Sequence, residues 1–287
     1  MKKVAVLGAN GQLGKTIHSL VKNSLDTYSF FSKSQVDITN KISLEETFRL
    51  NNFDYCINCA AYTNVDGAEQ NIEDAFSINA TGVKNLAEVC QKKRVKLIHI
   101  STDYVFDGTS NRPYKTDDET SPINQYGKSK QLGESYIQQI IASHYIIRTS
   151  WLYSAFGKNF VKTIVSKIND NVSLKIINNE TGTPTSCVDL AKFILFIITN
   201  NTIPYGIYNF SARGQTNWYE FAREIINNYY PEKISNIAAT DDFKTLAVRP
   251  KYSVLDLEKT ENVYKQLNPW EKSLKEVLML LRDPLET

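Results

Sequence analysis

The chain opens on Lys3-Val4-Ala5-Val6-Leu7, which runs directly into Gly8-Ala9-Asn10-Gly11-Gln12-Leu13-Gly14. An unbroken apolar run of strand length reads as a strand covered on both faces, as in a parallel sheet. Apolar residues at helical spacing follow over residues 15–21. Strand, glycine turn and helix in that order leave few architectures open, because they begin a βαβ unit. Gly8 permits the tight turn, Gly11 lets the backbone approach a pyrophosphate, and Gly14 lets helix and strand pack. The helix start then offers free N–H groups to phosphate. Three glycines spaced Gly-x-x-Gly-x-x-Gly mark by themselves only a sharp turn. The strand before them and the helix after them favour nucleotide binding.

Strand and helix signals alternate through the first half. Apolar runs lie near Val4, Tyr28, Cys56, Leu97 and Tyr145, with helical patterns at 42–51, 72–93 and 126–141. This alternation predicts an α/β fold: a doubly wound parallel sheet of the Rossmann type with right-handed crossovers. Its site lies beyond the carboxyl ends of the strands, where strand order reverses. After Trp151 the pattern changes to shorter pieces. Helical stretches at 160–168, 189–199, 217–229 and 270–281 alternate with strand-like 174–177 and Gly206-Ile207-Tyr208-Asn209-Phe210. Thr216 or Asn217 caps the third of these helices. The expected organisation is a dinucleotide-binding domain of residues 1–150 plus about 172–203. A smaller α/β substrate-binding lobe takes about 151–171 plus 204–287, with substrate between the two.

The second strand is expected at 27–31, and an NAD-specific site places an acidic residue near the end of that strand. Ser32 and Lys33 stand there instead. A hydroxyl and a cation suit a 2′-phosphate, which favours NADPH; NADH stays open.

The reacting chemistry is announced by Tyr126-Gly127-Lys128-Ser129-Lys130. Residues four apart share one helix face, so the Tyr126 phenol and the Lys130 ammonium point at one spot. The apolar run 96–100 ends in Ser101-Thr102-Asp103, which sets a hydroxyl at a strand end beside them. Hydride delivered to a ketone builds negative charge on its oxygen, and a positioned acid must neutralise it. A free phenol has a pKa near ~10. A neighbouring ammonium favours the phenolate and is expected to lower that value. Tyr126 would give the proton, Lys130 would tune it and bind the nicotinamide ribose, and Thr102 would align the substrate oxygen.

Other chemistries are argued against. Thirty-three basic and thirty-one acidic side chains nearly balance, with no basic tract, so neither nucleic acid nor an anionic membrane is an expected partner. The start reads as the first strand rather than a signal peptide, and the apolar stretch 193–198 is far below spanning length. A cytoplasmic location is expected. Cys56 and Cys59 form a Cys-x-x-Cys, but within a strand they face opposite sides of the sheet, and no histidine cluster joins them. No metal site is expected. His18 and His144 read as surface residues, and His99 as a packed core histidine.

With these residues in place, the chain resembles an extended short-chain dehydrogenase/reductase, and more narrowly the dTDP-4-dehydrorhamnose reductase family. The segments carrying the resemblance span almost the whole sequence. They are the glycine turn, Val36-Asp37-Ile38-Thr39, Cys59-Ala60-Ala61-Tyr62-Thr63-Asn64-Val65-Asp66, Ile78-Asn79-Ala80, Ser101-Thr102-Asp103-Tyr104-Val105-Phe106-Asp107-Gly108, the Tyr126–Lys130 segment, Arg148-Thr149-Ser150-Trp151-Leu152-Tyr153, Gly182-Thr183-Pro184-Thr185 and Arg249-Pro250. The resemblance implies NADPH-dependent reduction of the 4-keto group of dTDP-4-dehydro-L-rhamnose, for cell-surface polysaccharide synthesis. It implies Thr102, Tyr126 and Lys130 as the catalytic trio. Asn10, Gln12, Leu13, Ala60, Ala61, Tyr62 and Asn79 would line the cofactor cleft, with Asp37 and Ile38 at its adenine end. Thr63, Val65, Asp103, Tyr104 and Trp151 would meet the sugar nucleotide, and Asn159 and Arg249 its diphosphate side.

Two departures matter. Some family members dimerise through a metal held by glutamates, one just after the third glycine; here Lys15 stands there, so a monomer or weak homodimer is expected. Lys251-Tyr252-Ser253 also lacks the asparagine the family often carries after Arg-Pro. Three other readings stay open. One is reduction of another nucleotide-linked 4-keto-deoxysugar. The second is a 4,6-dehydratase, disfavoured because Tyr104 stands where that enzyme needs a glutamate. The third is a non-catalytic NADP-binding subunit, like the regulatory subunit of methionine adenosyltransferase.

Overall fold

A computed structural model describes residues 1–242 and 244–282. Its main sheet has six strands: β1 (Lys3–Leu7), β2 (Thr27–Phe31), β3 (Tyr55–Asn58), β4 (Lys96–Thr102), β5 (His144–Thr149) and the edge strand Gly206–Asn209. All pair in parallel, in the order β2-β1-β3-β4-β5-edge. The order reverses between β1 and β3, which opens a crevice at their carboxyl ends.

The unbroken apolar runs follow from burial on both faces. Val4 and Val6 pack with Ile17, Ile57, Ile98 and the helix Cys187–Thr199. Ala5 and Leu7, one step out of phase, pack on the other face with Leu44, Phe48, Leu86 and Leu97. Helix α1 (Gln12–Leu20) covers the first face and helix α2 (Lys41–Leu50), capped by Asn40, the second. Truncating a residue such as Ile17 to Ala costs roughly 2–5 kcal/mol. Cys56 and Cys59 do part to opposite sides of the main sheet, Cys56 into the core on the α2 face and Cys59 against the core on the α1 face, and both are free thiols.

Two local expectations change. The helix expected at 72–93 is interrupted: Ile72–Phe76 and Val83–Lys93 are α-helical, but Ser77–Gly82 winds as a π-helix. The wider turn brings the Asn79 carbonyl so near the helix Gln125–Ile140 that a Cβ at Gly133 would lie 2.2 Å from it. His144, expected at the surface, is buried at the start of β5 with Nδ1 against the Ile141 carbonyl. It is buried because β5 is a central strand, and burial pulls its pKa down.

A second core gathers the helices Phe160–Asn169, Trp218–Tyr229 and Trp270–Arg282 around a two-stranded parallel sheet, Leu174–Ile177 with Ile237–Thr240. The chain crosses between the cores more often than the expected boundaries allow. Gly206–Asn209, set with the smaller lobe from sequence, completes the main sheet, and Leu174–Ile177, set with the larger domain, pairs inside the second core. Edge pairing depends on long-range register, which short apolar runs do not encode.

Candidate active site

The glycine turn is shaped by close approach. Gly8 has φ +76°, and a Cβ there would lie 2.6 Å from the Ala60 nitrogen, so only glycine lets β1 and the segment after β3 meet. The α1 amino terminus has Gly11 as its N-cap and no capping side chain, leaving N–H groups free for an anion. Beside it a cleft of about 640 Å³ runs between the sheet and the second core.

Thr102, Tyr126 and Lys130 meet on the floor of this cleft. Thr102 ends β4; its hydroxyl donates to Asp103 Oδ1 at 3.0 Å and accepts from the Tyr104 backbone N–H at 3.1 Å. Tyr126 and Lys130 lie one turn apart on the helix Gln125–Ile140, whose N-cap Asn124 accepts from the Gly127 N–H. Lys130 is buried, and its Nζ donates to the Ile100 carbonyl at 2.6 Å. Burial draws its pKa down to about 8, against the opposing pull of Glu134 and Cys59. Glu134 itself is locked to Arg148 of β5 in a buried ion pair at 2.8 Å.

The expected lowering of the Tyr126 pKa is not what the structure gives. Its surroundings push the phenol up to about 12, with the Thr102 hydroxyl pulling it back and Asp103 pushing it further up. Burial is the largest cause, and the Lys130 ammonium that was expected to oppose it is turned to the Ile100 carbonyl. A phenol so placed stays protonated at neutral pH, which suits an acid in ketone reduction. Asp103 is also buried, and burial raises its pKa to about 7, against the Ser253 and Thr102 hydroxyls that pull it down.

The opposite wall is aromatic. Trp151 adopts φ +46°, an uncommon conformation for a residue with a side chain, and its ring stacks on Trp218 at 3.7 Å and 11°. Trp218 is anchored by its Nε1–H, which donates to Glu180 at 3.0 Å. The loop Ser154 to Asn159 reaches back to the glycine turn, where Asn159 Nδ2 donates to Gln12 Oε1 at 2.9 Å. Arg249 closes the rim, its guanidinium donating to Asp66 at 2.9 Å while Asp66 also accepts the Ala247 N–H.

Of the residues expected from sequence, Asn10, Gly11, Gln12, Leu13, Ala61, Thr63, Val65, Thr102, Asp103, Tyr104, Tyr126, Lys130, Trp151, Asn159 and Arg249 line this cleft. Several others lie outside the lining of this cleft. Asn79 is fully buried; it clasps the Tyr62 backbone through both N–H and C=O and donates to Ser129, so it braces the segment after β3 against the helix Gln125–Ile140. Ile38 is core, packed against Gly82. Asp37 accepts from the Thr39 N–H and hydroxyl and forms the turn before α2. Ser32 and Lys33 sit at the end of β2, the Ser32 hydroxyl bonded within its own turn and the Lys33 side chain largely exposed. Asn159 is also the N-cap of its helix. Sequence reasoning missed Trp218, Cys59, Thr149 and Lys158 as cleft residues. Trp218 left a local signal, an aromatic immediately after the capping Asn217, and Cys59 and Thr149 fall within the segments that carry the family resemblance.

A nucleotide turn on one wall and a strand-end hydroxyl, phenol and lysine converging below it define the extended short-chain dehydrogenase/reductase class. The sequence is specific within that class: the family model for the RmlD substrate binding domain matches residues 1–282. The chain belongs to that family. It is 36% identical to the dTDP-4-dehydrorhamnose reductase of Aggregatibacter actinomycetemcomitans, over 96% of this chain and 98% of the relative. Two solved structures superpose closely, both dTDP-4-dehydrorhamnose reductases. One, from Clostridium acetobutylicum, has a TM-score of 0.92 at 37% identity over 98% of this chain and 99% of its own. The other, from Bacillus anthracis, was solved with NADP and has a TM-score of 0.92 at 34% identity over 97% of this chain and 99% of its own. Among the described residues no helix is long and apolar enough to cross a membrane.

Proposed function

We propose that the protein reduces the 4-keto group of dTDP-4-dehydro-L-rhamnose with NADPH, giving dTDP-L-rhamnose for cell-surface polysaccharide. The observation that carries this reading is the meeting of Thr102, Tyr126 and Lys130 on the floor of a cleft walled by the glycine turn and by Trp151. The residues fit a dinucleotide: Gly8 leaves the room a Cβ would fill, and the α1 N–H groups stand free. The bound cofactor would supply hydride. Ser32 and the exposed Lys33 would meet a 2′-phosphate, and the NADP complex of the Bacillus anthracis relative supports that choice.

The chain's own residues handle everything else. Thr102 and Tyr126 hold the ketone oxygen between them. Tyr126 passes its proton to that oxygen as charge develops there, and Lys130 holds the phenol oriented and restores its proton. Trp151 and Trp218 stack against the apolar face of the sugar nucleotide and keep water from the reacting carbon. Arg249 exchanges Asp66 for the diphosphate, which its planar fork of donors suits. We place the enzyme in the cytoplasm, as a monomer or weak homodimer.

The test is NADPH consumption by the purified protein with dTDP-4-dehydro-L-rhamnose. Turnover is expected in the wild type and a loss of about 10²–10⁴-fold in Tyr126→Phe, with NADPH binding retained. Turnover only of another nucleotide-linked 4-ketosugar would replace the substrate. Binding of NADPH with no turnover of any such sugar would replace the reductase by a binding subunit.

A further inference from the structure

Beneath Lys130 lies a run of buried polar groups that the mechanism has not used. Its first member decides the rest. The Ala60 backbone N–H can only donate, and it donates to Asn58 Oδ1 at 3.1 Å. The Asn58 amide therefore cannot turn over, and its Nδ2 faces His99 Nδ1 at 3.0 Å. A group that meets an amide N–H₂ must accept, so His99 Nδ1 carries the lone pair. His99 is fully buried, and burial together with Lys130 pushes its pKa well down, so the ring is neutral with its one proton on Nε2. Nε2 in turn stands 3.2 Å from Lys130 Nζ.

A donor thus faces the lysine. An ammonium has no lone pair to receive it, whereas a neutral amine has one. The other groups around Nζ act differently. From the end of β3, Cys59 favours the ammonium; from the catalytic helix so does Glu134, itself paired with Arg148 of β5. From β4 the Ile100 carbonyl accepts from either form. Tyr126 shares the helix face with Lys130. Among these neighbours only the His99 Nε2–H selects the amine.

We propose that His99, its tautomer set by Asn58 and Ala60, is a positioning residue that stabilises Lys130 as a neutral amine during the catalytic cycle. This rests on the reading of Tyr126 and Lys130 as the proton path for ketone reduction. The Tyr126 O–H bond breaks as its proton goes to the carbonyl oxygen. A Lys130 N–H bond then breaks as its proton goes to the phenolate, and the electron pair left on Nζ accepts from His99 Nε2–H. Solvent water returns the missing proton to Nζ before the next turnover.

The first test needs no variant of His99. Isotope-labelled histidine resolves the three rings, with His18→Gln and His144→Gln assigning the others. A pyrrole-type Nε2 and a pyridine-type Nδ1 are expected for His99 in the wild-type protein; the reverse overturns the proposal while leaving the reductase reading intact. The second test is the pH profile of kcat, whose alkaline limb reports loss of the Lys130 proton. His99→Leu removes the donor that favours the amine, so that limb should move up by about one pH unit, with NADPH affinity unchanged. Asn58→Asp turns its acceptor to Nδ1 and reverses the tautomer, and should move the limb the same way. A limb that stays or moves down in His99→Leu overturns the proposal, since Nε2 would then be accepting from an ammonium. Should His99→Leu fail to fold, the ring tautomer of the wild type still decides.

Discussion

The two walls of the cleft are held by different forces. On the sheet side Thr102 and Lys130 are buried and held by backbone hydrogen bonds, and behind them lies the buried ion pair of Glu134 and Arg148. On the lobe side Trp151, Trp218 and Arg249 are half-buried, joined by a stack, one hydrogen bond to Glu180 and a rim ion pair with Asp66. The proton transfer proposed for the sheet wall tolerates little displacement of its donors, a restraint that its buried hydrogen bonds and ion pair provide. The recognition of a flexible sugar nucleotide proposed for the other wall needs contacts that exchange, and its partly exposed partners release at small cost. Strain sits on the adaptable side as well, in the left-handed backbone of Trp151.

This contrast can be broken or sharpened experimentally. The largest effect belongs to Glu134→Ala, which leaves Arg148 buried and unpaired. Stability should fall by roughly 3–5 kcal/mol, read from the urea midpoint; a loss below about 1 kcal/mol would show that water reaches the pair and that the sheet wall is not sealed.

Next is a pH effect at Asp103. Its folded pKa of about 7 lies above the unfolded value near about 3.9, so between these limits the folded state binds the extra proton. Its contribution is fully present below about pH 4 and is lost as pH rises through about 7, on the order of 4 kcal/mol in all. Asp103→Asn has no such titration, so its stability relative to the wild type should grow from pH 4 to pH 8, roughly. Parallel stability curves for the two proteins would mean that Asp103 ionises freely.

On the lobe side the numbers shrink. Trp218→Leu keeps apolar bulk but loses the stack on Trp151, and KM for the sugar nucleotide should rise about tenfold with kcat within about twofold. A fall in kcat alone would move Trp218 from recognition to chemistry. Smallest is Asp66→Asn, whose partly exposed pair with Arg249 contributes at most about 1 kcal/mol to stability. Its thermal midpoint should barely move, while KM for the substrate falls or holds because Arg249 no longer has to leave a carboxylate.

How much of this was legible beforehand varied along the chain. The β1 turn and α1, strand β2 at 27–31 and the shared face of Tyr126 and Lys130 follow from local period and spacing, and they stand in the structure as read. The Asn217 cap follows from local chemistry. Other features left no local trace. The π-turn around Asn79 is fitted to the helix at Gly133, which lies more than fifty residues away in sequence. His144 looked like a polar loop residue until β5 became a central strand. Trp218 joins the cleft because Trp151 turns its ring toward it across the lobe.

The amino-acid order alone determined the nucleotide turn, the parallel α/β plan and which side chains can carry a proton, since these depend on residue type and on periods of two and 3.6. Only the folded arrangement decided what those side chains are worth. Tyr126 is pushed up to about 12 and Lys130 drawn down to about 8 by the protein packed around them, which no spacing encodes. Desolvation and Coulomb interaction are set by distances in space, and residues far apart along the chain supply them.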